Sequence, residues 1–125
     1  MNSLDKYLFT KEHEWLLVDG DMATIGITDF AQEELGDIIF IELPNSDDFF
    51  NMGDVFGTIE AVKTVADLFM PISGKIIEVN ENIEDNPGFV NTEPFGNGWI
   101  VKIKIDDIKD LKSLLSNNQY KELIN

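Results

Sequence analysis

The chain has 125 residues, 24 of them Asp or Glu against nine lysines and no arginine, for a formal net charge of −15. So anionic a surface, lacking the guanidinium fork that grips phosphates and guanine edges, argues against nucleic acid and anionic membrane as partners. Cysteine is absent, which excludes structural disulfides, thiolate metal sites and a cysteine nucleophile.

The start, MNSLDKYLFTKEHEW, has neither the basic and apolar regions of a secretory signal nor the Arg-rich character of a transit peptide, and no apolar run approaches the length of a membrane span. The expectation is a cytoplasmic protein of a prokaryote, or the mature form of an organelle protein. Trp15 to Val18 and Met22 to Ile27 flank Asp19-Gly20, which suits a tight hairpin turn. TDFAQEELG predicts a short helix, with Thr28 or Asp29 as cap, Gln32 in capping-box spacing to Asp29 and Gly36 closing it. Asp37 to Leu43, apolar and β-branched and ended by Pro44, reads as a buried strand, and NSDDFFNMGD as a loop.

Val55 to Val62 and Thr64 to Ile72 read as two strands joined very tightly at Lys63, and Lys75 to Val79 as another. NENIEDNPGFVN reads as a loop with a type II turn at Pro87-Gly88, and WIVKIKI as a strand alternating lysine with isoleucine. Leu111, Leu114 and Leu115, then Tyr120, Leu123 and Ile124, predict two short terminal helices lying against the β body. The whole, residues 1–125, is expected to be one domain: a mostly antiparallel β sandwich or flattened barrel, with residues 106–125 a helical extension packed on it.

Two places invite chemistry. Lys63 sits at a hairpin tip in which Val62, Lys63 and Thr64 include none of the residues that favour turns, so something besides turn propensity has selected them. An amine presented there suits acylation by another enzyme; the plainer alternative is a solvated lysine. His13, the chain's one histidine, stands next to Glu14 and is a candidate general base. No nucleophile elbow accompanies it, which weakens a hydrolase or isomerase reading. One histidine without cysteine cannot form a common zinc site, the acids lack EF-hand spacing, and no glycine-rich phosphate cradle opens a helix, so no metal or nucleotide site is expected. An acidic interaction module without a prosthetic group is the remaining alternative.

Five blocks in order, YLFTKEHEW, ATIGITDFAQEELGDIIFIELP, GTIEAVKTVADLFMPISGKIIEVNENI, DNPGFVN and GWIVKIKI, closely resemble the H proteins of the glycine cleavage system. The resemblance implies a lipoyl/biotinyl-carrier-like barrel-sandwich hybrid, mostly β, with a short internal helix and C-terminal helices. It implies a carrier and not an enzyme. Lys63 falls on the position that carries lipoate in amide linkage, and the implied partners are the pyridoxal-phosphate glycine decarboxylase (P protein), the aminomethyltransferase (T protein), dihydrolipoamide dehydrogenase (L protein) and the lipoate-attaching enzymes. Glu14 and Asp67 match the acids that receive the amine of the loaded arm in a cleft, and Glu60 matches a surface read by the attaching enzyme. The protein is expected to be a monomer that docks transiently.

Family members often have ESVKA where this chain has EAVKT, so Ala61 removes a hydroxyl beside the lysine and Thr64 adds one. A biotin carrier would place methionines on both sides of the lysine, and lipoyl domains of 2-oxoacid dehydrogenases lack the HEW, ITDFAQ and GWIVKIKI blocks. An alternative role as a scaffold that relays lipoyl groups to other proteins is compatible with the same residues.

Overall fold

The structure, a computed structural model, describes residues 3–125. A 3-10 turn at Ser3–Lys6 leads into β1 (Leu8–Phe9), β2 (Glu14–Asp19), β3 (Met22–Ile27), α1 (Asp29–Leu35), β4 (Ile38–Glu42), β5 (Phe49–Phe50), β6 (Val55–Ala61), β7 (Val65–Phe69) and β8 (Gly74–Val79). Two single-turn helices, α2 (Asn82–Asp85) and α3 (Phe89–Thr92), precede β9 (Val101–Ile105), a 3-10 turn at Ile108–Ser113 and α4 (Asn117–Ile124).

The strands form two sheets, one ordered β1-β2-β3-β9-β8-β5 and one ordered β4-β6-β7. Every pairing among the described strands is antiparallel. Neither sheet closes on itself, so the sandwich description fits better than the barrel. Period-two alternation sends Leu16, Ile25, Ile41, Ile59, Ile76 and Ile103 into the core between the sheets. A second core of Tyr7, Phe9, Trp15 and Tyr120 lies on the other face of the larger sheet, where Phe9 stacks on Tyr120 with centroids 4.7 Å apart. The sheet is thus buried on both faces near β1 and β2, and α4 is held there by its aromatic residue.

The β2–β3 hairpin forms as its sequence predicts, with Gly20 at φ 63 in the turn. Thr28 caps α1 by accepting from the Ala31 N–H, and Gly36 closes it at φ 78. Gln32 donates to the Asp29 carboxylate instead of completing a capping box. Other expectations need correction. β4 is an edge strand with a bulge between Ile38 and Phe40, which leaves Ile39 and Phe40 exposed, so it is not the buried strand its apolar run implies. The loop at NSDDFFNMGD contains β5, whose two residues pair with Lys75 and Gly74; two residues are too few to show a period.

The segment read as one loop holds α2 and α3, and Gly88 has φ −60, which excludes the positive φ of a type II turn. The strand in WIVKIKI covers only Val101–Ile105, and the first terminal helix is a 3-10 turn, capped by Leu114, after which Leu115 bridges to Phe9.

Gly26 lies opposite Trp15 in the hairpin register, and a Cβ there would stand 2.5 Å from the indole carbons. The ring occupies the space of the missing side chain. Gly26→Ala is therefore expected to destabilise the fold by about 1–3 kcal/mol, read as a lower urea midpoint at unchanged slope. An unchanged midpoint would show that the indole swings aside without cost.

Candidate functional site

Lys63 lies exposed at the tip between β6 and β7, where Val62 is 72% exposed. The turn is not one of the usual two-residue hairpin types, since neither Val62 nor Lys63 has positive φ. It is held by two backbone hydrogen bonds. Ala61 N–H donates to Thr64 C=O at 2.8 Å, and Val62 N–H donates to Asp37 C=O at 3.0 Å, tying the tip to the loop after α1. That loop is itself fixed by Asn91 of α3, whose Nδ2 donates to Gln32 Oε1 at 3.0 Å and Gly36 C=O at 2.8 Å, while its Oδ1 accepts from Ile38 N–H at 3.0 Å.

The stem of Lys63 lies across Gly36. A Cβ at Gly36 would be 3.2 Å from Lys63 Cε and 3.7 Å from Nζ. The ammonium thus sits by the C-terminal, electronegative end of α1, a helix with no basic residue in its last turn. Gly36 serves both needs: its φ of 78 and ψ of −157 are almost confined to glycine, and its bare Cα leaves a track for the lysine.

Against α1 lies a pocket of about 180 Å³ walled by Ala31, Glu34 and Leu35 of α1, by Glu14 and Ile27 of the larger sheet, and by Ile59 and the 66–68 segment of the smaller one. Glu14 is its deeply set acid, only 2% exposed. Its Oε1 accepts from Thr10 Oγ1 at 2.8 Å and its Oε2 from Phe69 N–H at 3.2 Å, so it joins β2 to β7 across the sandwich. A carboxylate has about four acceptor positions, so two donors leave capacity for a third. Burial pushes the Glu14 pKa up to about 7, the two hydrogen bonds opposing the rise and nearby Glu12 adding to it.

Asp67 borders the same pocket differently. It is exposed, pairs in register with Thr58, and alternates with the inward residues Ala66 and Leu68, which sets it at the rim on the edge strand β7. Glu60 is exposed on the outer face of β6, between Phe40 and Val65 on the flanking strands. These two neighbours are 52% and 63% exposed, so the face beside Lys63 alternates acid with apolar side chain.

His13 also lines the pocket, but it does not pair with Glu14. It has φ 70, and its Nδ1 lies 2.8 Å from Tyr120 Oη, against which Thr28 Oγ1 packs at 2.7 Å. No serine or threonine hydroxyl other than that of Thr28 stands in this relay, and Thr28 is occupied in capping α1. Sequence reasoning missed Thr10, Asn91 and Tyr120. Their partners lie as far as 107 residues away, beyond the reach of local pattern; only Thr10, four residues before Glu14, carried a local signal.

Comparison with known proteins agrees with this geometry. A family model described as Glycine cleavage H-protein matches residues 7–125. Two relatives named glycine cleavage system H protein, from two strains of Staphylococcus epidermidis, are 56% and 55% identical over 119 residues, covering 95% of this chain and 94% of theirs. The crystal structure of a glycine cleavage system H protein from Mycobacterium marinum superposes with a TM-score of 0.84 at 33% identity, over 94% of this chain and 95% of that one. In sequence and in fold, the chain belongs to the glycine cleavage H-protein family.

Proposed function

We propose that this chain is the lipoyl carrier of the glycine cleavage system, with lipoate in amide linkage to Lys63. The observation that carries the reading is the placement of Lys63: an exposed amine on a braced tip, its stem against the C-cap of the helix that walls an acid-floored pocket. The residues present fit the group. The amine is accessible to an attaching enzyme, and the walls of the pocket against α1 are largely apolar with carboxylates at floor and rim.

When bound, lipoate supplies a dithiolane on a long arm, which takes up the aminomethyl group of glycine as its disulfide is reduced and is later reoxidised. The chain's own part is to present, shelter and release. Ile27, Ala31, Leu35, Ile59 and Leu68 exclude water from the pocket. Glu14 and Asp67 receive a protonated amine, each charge-assisted hydrogen bond contributing on the order of 1.5–3 kcal/mol, enough to bias the arm and not to trap it. The raised Glu14 pKa makes this acceptor responsive: near neutrality its proton is readily lost when a cation enters.

Glu60, with Phe40 and Val65 beside it, gives the attaching enzyme a surface to read. The chain is a carrier and not a catalyst, works as one unit with residues 106–125 as its helical extension, and docks as a monomer on the P, T and L proteins in turn. The bacterial source of its relatives supports a bacterial cytoplasmic protein over one of the mitochondrial matrix. An absence of cysteine keeps the thiol exchange on the arm from being diverted into the chain.

Incubation with a lipoate-attaching enzyme, lipoate and ATP is expected to add one lipoyl mass, mapped to Lys63, and none in Lys63→Arg. Modification elsewhere, or none, contradicts the reading. In the loaded carrier, replacing both Glu14 and Asp67 by Ala is expected to shorten the lifetime of the bound aminomethyl group; an unchanged lifetime would remove these acids from the sheltering role.

Glu14 also ties stability to pH. Its folded-state pKa lies above the ordinary 4.5, so the fold holds a proton that the unfolded chain has released. The contribution is full below about pH 4.5 and is lost as pH rises through about 7, roughly 3 kcal/mol in all. Unfolding free energies of wild type and Glu14→Gln are therefore expected to diverge across that window, the variant gaining relative to wild type as pH rises. A difference that stays constant with pH would show that Glu14 is charged throughout.

A further inference from the structure

The relay behind the pocket has a direction. Thr28 is buried, and its Oγ1 already accepts from the Ala31 N–H at 3.2 Å, so its one hydrogen needs an acceptor. Among the described residues the hydrogen-bonding partner left for it is Tyr120 Oη, 2.7 Å away. Leaving a buried hydroxyl hydrogen without an acceptor is costly, so Thr28 donates to Tyr120. Tyr120 then has its own hydrogen to give, and His13 Nδ1, at 2.8 Å, accepts it. This arrangement satisfies every group. It also fixes the imidazole: Nδ1 carries a lone pair and the ring proton is on Nε2.

The same arrangement resists a second proton on the ring. A hydrogen on Nδ1 would face the Tyr120 hydroxyl, whose oxygen would then receive from both sides while its own hydrogen was stranded. The ring is further enclosed by Phe30, with centroids 4.7 Å apart, and by the edge-on Tyr120 ring at 5.7 Å. Burial lowers the His13 pKa, while Glu12 and Glu34 pull it upward. The charged or titratable groups around His13 are Glu12 and Glu14 in its own segment, Glu34 from α1, Asp67 from β7 and Tyr120 from α4.

We propose that Tyr120, reaching in from the C-terminal helix, is a positioning residue that holds His13 as a neutral, Nε2-protonated imidazole in the pocket wall, so that the pocket offers carboxylates and no competing cation to the amine of the arm. The purpose rests on the lipoyl-carrier reading; the geometry does not. A charged His13 would add a cation beside Glu12 and Glu34 in the pocket wall and oppose entry of the amine. The C-terminal helix, remote in sequence, thereby sets the charge of the pocket.

Because the chain has one histidine, imidazole nitrogen NMR of isotope-labelled, unlipoylated protein reports on this residue alone. At about pH 7.5 the wild type is expected to show a pyridine-type Nδ1 and a pyrrole-type Nε2, and on titration a pKa below the ordinary 6.5. Tyr120→Phe keeps the ring stacked on Phe9 and removes only the hydroxyl. In it the tautomers mix and the pKa rises toward the ordinary 6.5. A pyrrole-type Nδ1 in the wild type overturns the proposal even if the variant does not fold, and so does a folded variant with unaltered tautomer and pKa. In the loaded, lipoylated protein, Tyr120→Phe is expected to lose its aminomethyl group faster than wild type at about pH 6 and at the same rate at about pH 8.5. Equal loss at both contradicts the role in the pocket. The lipoyl mass on Lys63 reports separately on the carrier reading.

Discussion

An exposed lysine on a turn built from β-branched residues has to be held from outside, and the rest of the site follows from that constraint. Val62 and Thr64 lack the conformational ease of glycine or asparagine, and the tip has no positive φ to match the strand twist. Its bracing is the bond from Val62 N–H to Asp37 C=O, which makes the tip only as rigid as the loop after α1. The loop depends in turn on Gly36 and on the three hydrogen bonds of Asn91. A chain of ordinary contacts therefore connects α3 to the reach of one lysine. The same loop lies under the lysine stem, where a Cβ at Gly36 would come within 3.2 Å of Lys63 Cε.

On the proposed carrier reading, the pocket beside α1 sets two needs against each other. A shelter for a labile amine must be dry, and a receptor for a cation must be charged. Glu14 meets both partially: it is nearly inaccessible, yet donors from Thr10 and Phe69 keep its carboxyl from being driven further out of the ionised state. Asp67, at the wet rim, stays outside that conflict. Glu14 also spans the two sheets, so the state of the pocket and the packing of the sandwich are coupled through one side chain.

How much of this was legible in the sequence depended on the range of the forces involved. The β2–β3 hairpin and α1 were readable because a turn dipeptide and capping residues act within a few positions. Lys63 was readable as an anomaly, a turn without turn residues. Phe40 was misread because an apolar run looks the same whether the partner that covers it lies in the chain or outside it. The depth of Glu14 was not readable at all: KEHEW shows two acids in alternate positions, and only the fold sends one inward and leaves Glu12 outside. Asn91 and Tyr120 act at long range, so nothing in DNPGFVN or NNQYKEL marks them.

On the proposed reading, the braced Lys63 serves glycine cleavage and not a generic acylation. The most direct measurement is exchange of the glycine carboxyl with bicarbonate by a glycine decarboxylase, with this protein as the sole carrier. Exchange is expected to depend on the lipoylated wild type and to disappear with Lys63→Arg. Exchange that proceeds equally with the Lys63→Arg protein, or fails with fully lipoylated wild type, would contradict the reading.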